Sequence, residues 1–150
     1  MIKILFVCHG NICRSTMAEY VMKHLVKQAG LEGEFYIDSA ATSREEIGNG
    51  VHHGTKRKLA QMGVPCGDHR ARQVTWRDYE AFDYIIGMDN ANIRNLRRML
   101  KNDPEGKISM MLDYTERPGE VADPWYTGDF ESTYRDVLEG CQGLLRVFKK

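Results

Sequence analysis

The sequence predicts an α/β fold in one domain, residues 1–150, with a four-stranded parallel sheet covered by helices on both faces. Three observations predict it. Short apolar runs alternate with longer segments of helical periodicity, the pattern of βαβ crossovers. The first run, Ile2–Cys8, is apolar almost throughout, as a strand buried on both faces must be. A glycine-containing loop follows it at once and leads into a helix, and open parallel sheets bind ligands where strands end and helices begin.

Each element has its own signal. After the loop, Thr16 with Glu19 three residues on reads as a capping box. Met17, Ala18, Val21, Met22, Leu25 and Val26 then repeat at helical spacing until Gly30. Phe35–Asp38 is a second strand, leading to Ser39-Ala40-Ala41-Thr42-Ser43. Residues Arg44 to Gly54 are polar and read as a loop, and a helix spans Thr55 to Met62, stopped by Gly63 and Pro65. Tyr84–Met88 is the third strand, and Asp89 is placed to cap a helix through Leu100. Lys107–Leu112 is the fourth strand. A loop with Pro118, Gly119, Pro124 and Gly128 leads to a last helix from about Phe130 to Phe148.

Composition narrows the function. Lys and Arg together number 21, as do Asp and Glu, so no whole-surface charge draws the chain to nucleic acid or anionic membrane. No apolar stretch approaches membrane-spanning length, and the N-terminal run is too short for an export signal. The four cysteines, Cys8, Cys13, Cys66 and Cys141, form no tandem C-x-x-C pair that would suggest zinc. They read as free thiols of a reducing, cytoplasmic protein.

The chemistry concentrates in Cys8-His9-Gly10-Asn11-Ile12-Cys13-Arg14-Ser15. A loop opening a helix presents unpaired N–H groups to one concavity, and the helix dipole adds positive potential, so a phosphate dianion suits it. Gly10 lets the backbone turn closely, and Asn11 tolerates left-handed dihedrals. Arg14 can fork two hydrogen bonds onto phosphate oxygens as a lysine cannot. The same positive field favours Cys8 as a thiolate nucleophile, and Ser15 can donate to its sulfur. Cys8 alone would read as a buried core cysteine. The full combination between strand and helix reads as a phosphate-handling site, and the absence of a G-K-[ST] ending excludes a nucleoside triphosphate loop. A leaving oxygen needs a proton. Asp123-Pro124-Trp125-Tyr126 is one candidate source, because proline stiffens the loop behind the acid, but spacing alone does not choose it among the carboxylates.

These residues resemble the low-molecular-weight protein tyrosine phosphatases. The loop pattern V-C-x-G-N-x-C-R-S stands at Val7 to Ser15 and the acid pattern D-P-[YW]-Y at Asp123 to Tyr126, with Asp38-Ser39-Ala40, His69, Ala71-Arg72-Gln73 and Phe82 to Asp89 between them in family order. The resemblance implies phosphotyrosine hydrolysis through a phosphocysteine on Cys8, with Arg14 binding phosphate and Asp123 as general acid and then base. It implies a substrate pocket of His9, Gly10, Asn11, Ile12, Cys13, Ser15, Trp125 and Tyr126. It further implies a supporting network of Ser39, His69 and Asp89, with Asp89 orienting Arg14. It implies no metal and no organic cofactor. The partners it implies are phosphotyrosine-containing proteins, neither nucleic acid nor membrane, with the enzyme a monomer of at most weak self-association.

Two positions mark this chain. Broad-pocket relatives often carry tryptophan where Glu45 stands, so one wall is expected to be acidic or open. Relatives that act on phosphoarginine carry threonine in place of Ile12, whose methyl-rich surface suits a phenyl ring. Arsenate reductases share the loop but relay electrons through a cysteine pair near the helix after the third strand, and residues 80–101 contain none. A sugar-transport phosphoryl carrier also has the cysteine, but has no need of Arg14 with a downstream acid.

Overall fold

The computed structural model describes residues 1–149. Its sheet is built from β1 (Ile2–Cys8), β2 (Phe35–Ala41), β3 (Tyr84–Gly87) and β4 (Ile108–Met110), all parallel in the order β2-β1-β3-β4. The helices are α1 (Arg14–Gln28), α2 (His53–Gln61), α3 (Trp76–Ala81), α4 (Asn90–Met99), α5 (Pro124–Thr127) and α6 (Phe130–Phe148).

The two-residue period of β1 divides the core. Ile4, Phe6 and Cys8 point to one face and meet Met17, Val21 and Met22 of α1 and Val137, Cys141 and Leu144 of α6. Leu5 and Val7 point to the other and meet Tyr79, Phe82, Leu96 and Leu100 around α3 and α4. Because β1 is covered on both faces it carries no polar side chain between Ile4 and Cys8. Each of these fully buried aliphatics stabilises the fold by about 1.5–3 kcal/mol.

The order places β1 between β2 and β3, so the chain leaves β1 toward one edge and returns to pair on its other side. That is the switch point where a crevice opens beyond the strand ends. Cys8 pairs with Ala41 and Val7 with Gly87, so the three strands finish nearly level. The loops after β1 and β3 therefore open side by side.

Several boundaries differ from the expected ones. α1 begins at Arg14, ahead of the predicted capping box, and no side chain caps it. Cys13 before it has φ −113° and ψ −79°, so no residue takes the extended conformation that capping needs. Thr16 lies within the first turn and donates to the Cys13 carbonyl at 3.1 Å. β2 runs on to Ala41 because the 71–74 segment pairs with it, Ala41 N donating to Arg72 O and Val74 N to Ala41 O. α2 starts at His53, since the His52 ring accepts from Gly54 N–H at 3.0 Å and caps it early, and it stops at Gln61. β3 stops at Gly87, ahead of Met88, and α4 stops at Met99, one residue before Leu100. β4 starts a residue late at Ile108 and stops at Met110, where Asp113 accepts from the Met110 N–H at 2.8 Å and turns Met111–Tyr114 into a 3-10 helix. α3 was not expected, although Thr75 and Asp78 form the reciprocal cap that the T-x-x-D pattern signals. Asp89 caps α4 as expected, accepting from Asn92 N–H at 2.7 Å. Among the described residues, no helix is long and apolar enough to cross a membrane.

Candidate active site

The site lies at the carboxyl ends of β1 and β3. The segment Cys8–Cys13 winds into a concavity, helped by Asn11, whose backbone is left-handed at φ +60°. A cavity of about 190 Å³ opens above it, with Cys8 and Arg14 at the bottom and Asp123, Trp125 and Tyr126 on one side. His9, Gly10, Ile12, Cys13, Glu45 and Glu46 complete its lining.

The sulfur sits among donors. Asn11 N–H donates to Cys8 Sγ at 3.3 Å, and Ser15 Oγ lies 3.1 Å away. Ser15 Oγ also accepts from Asn11 Nδ2 at 2.8 Å, so its single hydrogen is free to point at the sulfur. Asn11 Nδ2 donates again to Ser39 Oγ at 2.9 Å, and Ser39 donates to Glu19 Oε1 at 2.6 Å. Asn11 Oδ1 accepts from the Arg72 amide at 3.2 Å and lies 2.8 Å from His69 Nε2. Every polar atom of the fully buried Asn11 side chain is thus engaged, which fixes a strained backbone that solvent would otherwise relax.

Arg14 is 2% exposed. Its Nη1 donates to Asp89 Oδ2 at 2.8 Å and to the Val121 carbonyl at 3.0 Å, while Nη2 lies 3.4 Å from Asp123 Oδ2. Burial alone would lower its pKa, but the Cys8 sulfur, Asp89 and Asp123 outweigh it and hold the guanidinium above its ordinary value. Asp123 also caps the single turn of α5, its Oδ1 accepting from Trp125 N–H at 3.0 Å. Burial, then the neighbouring Cys8 and Asp123, push the Cys13 thiol up to about 12. Cys13 therefore stays protonated beside the Cys8 sulfur.

The expected residues are brought together with one difference. The side chains of Asn11 and Ser15 are wholly buried behind the loop and do not line the cavity, so they act on it from beneath. Ser39 and His69 hydrogen-bond the Asn11 side chain behind the loop, and Asp89 accepts from Arg14. Glu45 does stand in the wall, where its Oε2 lies 2.6 Å from His9 Nε2, and the acidic expectation for that side holds.

Four participants escaped sequence reasoning. Glu19 was assigned to a helix cap, yet it is buried under Ser39 and holds Lys23. Arg72 ties Asp38 to Asp78. The Val121 carbonyl has no side-chain signature at all. His52 stands behind Trp125, their ring centres 5.8 Å apart, and nothing in its spacing announces this.

Glu19, Asp38 and His69 bring oxygen and nitrogen atoms within 4.8 Å of one another. The carboxylate oxygens already accept from Ser39, Lys23 and Arg72, so these groups form a hydrogen-bonded hub rather than a metal centre.

The family model for low molecular weight phosphotyrosine protein phosphatases matches residues 3–150. The low molecular weight protein-tyrosine-phosphatase YfkJ of Bacillus subtilis is 43% identical over 152 residues, covering 100% of this chain and 97% of the relative. The crystal structure of YfkJ superposes with a TM-score of 0.96, covering 99% of this chain and 95% of that one. A structure described as a Drosophila arginine phosphatase superposes with a TM-score of 0.91 at 32% identity, covering 99% of each chain.

Proposed function

The chain belongs to the low molecular weight phosphotyrosine protein phosphatase family, and we propose on that premise that it hydrolyses phosphotyrosine in proteins through a phosphocysteine on Cys8. Its class of chemistry is cysteine-dependent and metal-independent phosphate-ester hydrolysis. The observation that carries the residue roles is the convergence of Cys8, Arg14 and Asp123 on one cavity.

In the first step the Cys8 thiolate attacks phosphorus, an S–P bond forms and the bond from phosphorus to the tyrosine oxygen breaks. The Asp123 carboxyl gives its proton to the leaving oxygen, so the product departs as neutral phenol. The Arg14 guanidinium, anchored from behind by Asp89 and Val121, presents its fork to the equatorial oxygens. In the second step water attacks phosphorus and Asp123 takes its proton. The S–P bond breaks and its electron pair returns to sulfur, stabilised by the Ser15 hydroxyl and the Asn11 amide. Inorganic phosphate leaves and the thiolate is restored.

The substrate follows from depth and wall. Cys8 is 3% exposed at the bottom, whereas Trp125 and Tyr126 are 60% and 84% exposed at the rim. A long flat phosphotyrosine spans that depth and a phosphoserine does not. The similarity to a Drosophila arginine phosphatase raises phosphoarginine as a second reading. Ile12 lines the cavity with methyl groups and offers no hydroxyl to place water on a guanidine, which favours the aryl ester.

Rapid quenching of the wild-type enzyme should trap phosphate on Cys8, and Cys8→Ser should abolish turnover while still binding vanadate. Retained turnover in Cys8→Ser would sink the mechanism. Faster cleavage of phosphoarginine than of phosphotyrosine peptides by the wild type would sink the substrate assignment alone.

A further inference from the structure

The acid loop is tied to the phosphate loop by a residue outside both motifs. His52 precedes α2, and its backbone N–H donates to the Ile12 carbonyl at 2.9 Å, fixing it to the wall of the phosphate loop. Its ring stacks on Phe130 at the start of α6, centre to centre 5.4 Å with 20° between the planes, and on His53 at 4.3 Å. The indole of Trp125 stands edge-on to the same ring at 5.8 Å. Gly54 makes the stack possible, because a Cβ there would run into the Phe130 ring. Trp125 N–H in turn donates to Asp123 Oδ1 at 3.0 Å. A continuous path therefore runs from Ile12 through His52 and Trp125 to the carboxylate.

We propose that His52 is a positioning residue for the reaction, holding Trp125 edge-on so that the Asp123 carboxylate stays over the phosphate loop. The inference rests on the reading of Asp123 as general acid. α5 is a single turn with an exposed Trp125 and Tyr126, and so short a helix does not hold its own orientation. The path from Trp125 to the acid is the cap hydrogen bond from its backbone N–H, so a contact that holds the Trp125 side chain also restrains the backbone to which the carboxylate is bonded. A proton donor displaced by even about 1 Å can cost on the order of a hundredfold in rate.

The ring state matters to the stack. His52 Nδ1 accepts from Gly54 N–H, so at neutral pH its proton sits on Nε2. Burial, with His53 and Arg57 of α2 beside it, pushes the imidazole below its ordinary range, and Glu46 of the wall loop opposes them. The remaining neighbours, Trp125 and Phe130, are uncharged rings. Protonation puts a second N–H against the Gly54 donor and breaks the cap that orients the ring.

The test is a double-mutant cycle over His52→Ala and Asp123→Ala, read as kcat on phenyl phosphate and on p-nitrophenyl phosphate. His52→Ala should lose about tenfold to a hundredfold on the poor leaving group and clearly less on the activated one. In the Asp123→Ala background it should cost little further on either substrate, since the two residues then act as one unit. Equal losses on both substrates, or full additivity, would overturn the proposal, because a merely structural role removes active enzyme without regard to leaving group. If Asp123→Ala itself showed no leaving-group dependence, the acid reading would fall and take this route with it. A second measurement needs no His52 variant. In Trp76→Phe, Trp125 is the sole tryptophan, and its fluorescence should drop with falling pH as the adjacent imidazole protonates, with a midpoint below about 6.5. Emission flat across that range would show that His52 does not contact the indole, and would overturn the proposal as well.

Discussion

Asp123 shares its carboxylate between two donors, and the sharing defines its proposed role. Oδ1 faces the Trp125 amide, while Oδ2 faces Arg14 across 3.4 Å, too long for a strong charge-assisted bond. The second oxygen is therefore the one open to an incoming leaving group. Asp123→Ala should lose roughly 10²–10⁴-fold in turnover, the usual contribution of a general acid. The loss should be greater on phenyl phosphate than on an activated aryl phosphate, and steady-state kinetics on the two esters checks it. An equal loss would assign Asp123 to structure and require another acid. At this scale the sequence already groups the proposed nucleophile, clamp and hydroxyl, because Cys8, Arg14 and Ser15 lie within eight positions of one another. The acid is 109 positions from Arg14, and spacing could not choose it.

At the scale of elements, close approach matters more than propensity. α6 packs against the 3-10 helix Met111–Tyr114, and Gly140 and Gly143 are the points of nearest approach. A Cβ at Gly143 would run into the Tyr114 carbonyl oxygen, a backbone atom that cannot rotate away. Gly143→Ala should therefore destabilise the fold by about 1–3 kcal/mol, despite alanine's better helix propensity. For a chain of this size each kcal/mol lowers the melting temperature by roughly 2–4 °C. Gly33→Ala, where nothing lies within 4 Å, serves as the comparison. Equal melting temperatures for the two variants would show that α6 slides to accommodate the methyl. The glycine in α6 was visible in the sequence, but the partner that makes it necessary was not.

Over the whole molecule, burial of weak acids sets the response to alkali. Tyr20 is raised by burial to about 12, Cys13 by burial and its anionic neighbours to about 12, and Cys141 higher still by burial alone. Tyr79, Tyr114 and Tyr134 are raised too, again by burial first. In each case the folded state keeps a proton that the unfolded chain releases. Their contribution is complete below the unfolded values, about 8.5 for cysteine and 10 for tyrosine, and is lost as pH rises toward the folded ones. Stability should accordingly begin to fall above roughly pH 8.5 and steepen above about 10, each such group adding up to about 1.4 kcal/mol per pH unit. Urea denaturation between pH 7 and 11 measures this. A midpoint constant to pH 11 would mean that these groups titrate as freely in the fold as in the open chain.

The sequence by itself determined what depends on neighbours along the chain. It set the alternation of strands and helices, the buried stretch of β1 from Ile4 to Cys8 with no polar side chain, the left-handed turn at Asn11 and the cysteine-to-arginine loop at a helix start. These follow from periodicity and local backbone chemistry, which act over a few residues. Tertiary structure alone decided the partners. It added the Val121 carbonyl to the Asp89 expected to hold Arg14, lengthened β2 by pairing it with residues 71–74, and buried Glu19 beneath Ser39. It also set His52 against Trp125. Each of those residue types recurs in the chain, and only packing brings one of them within hydrogen-bonding or van der Waals reach.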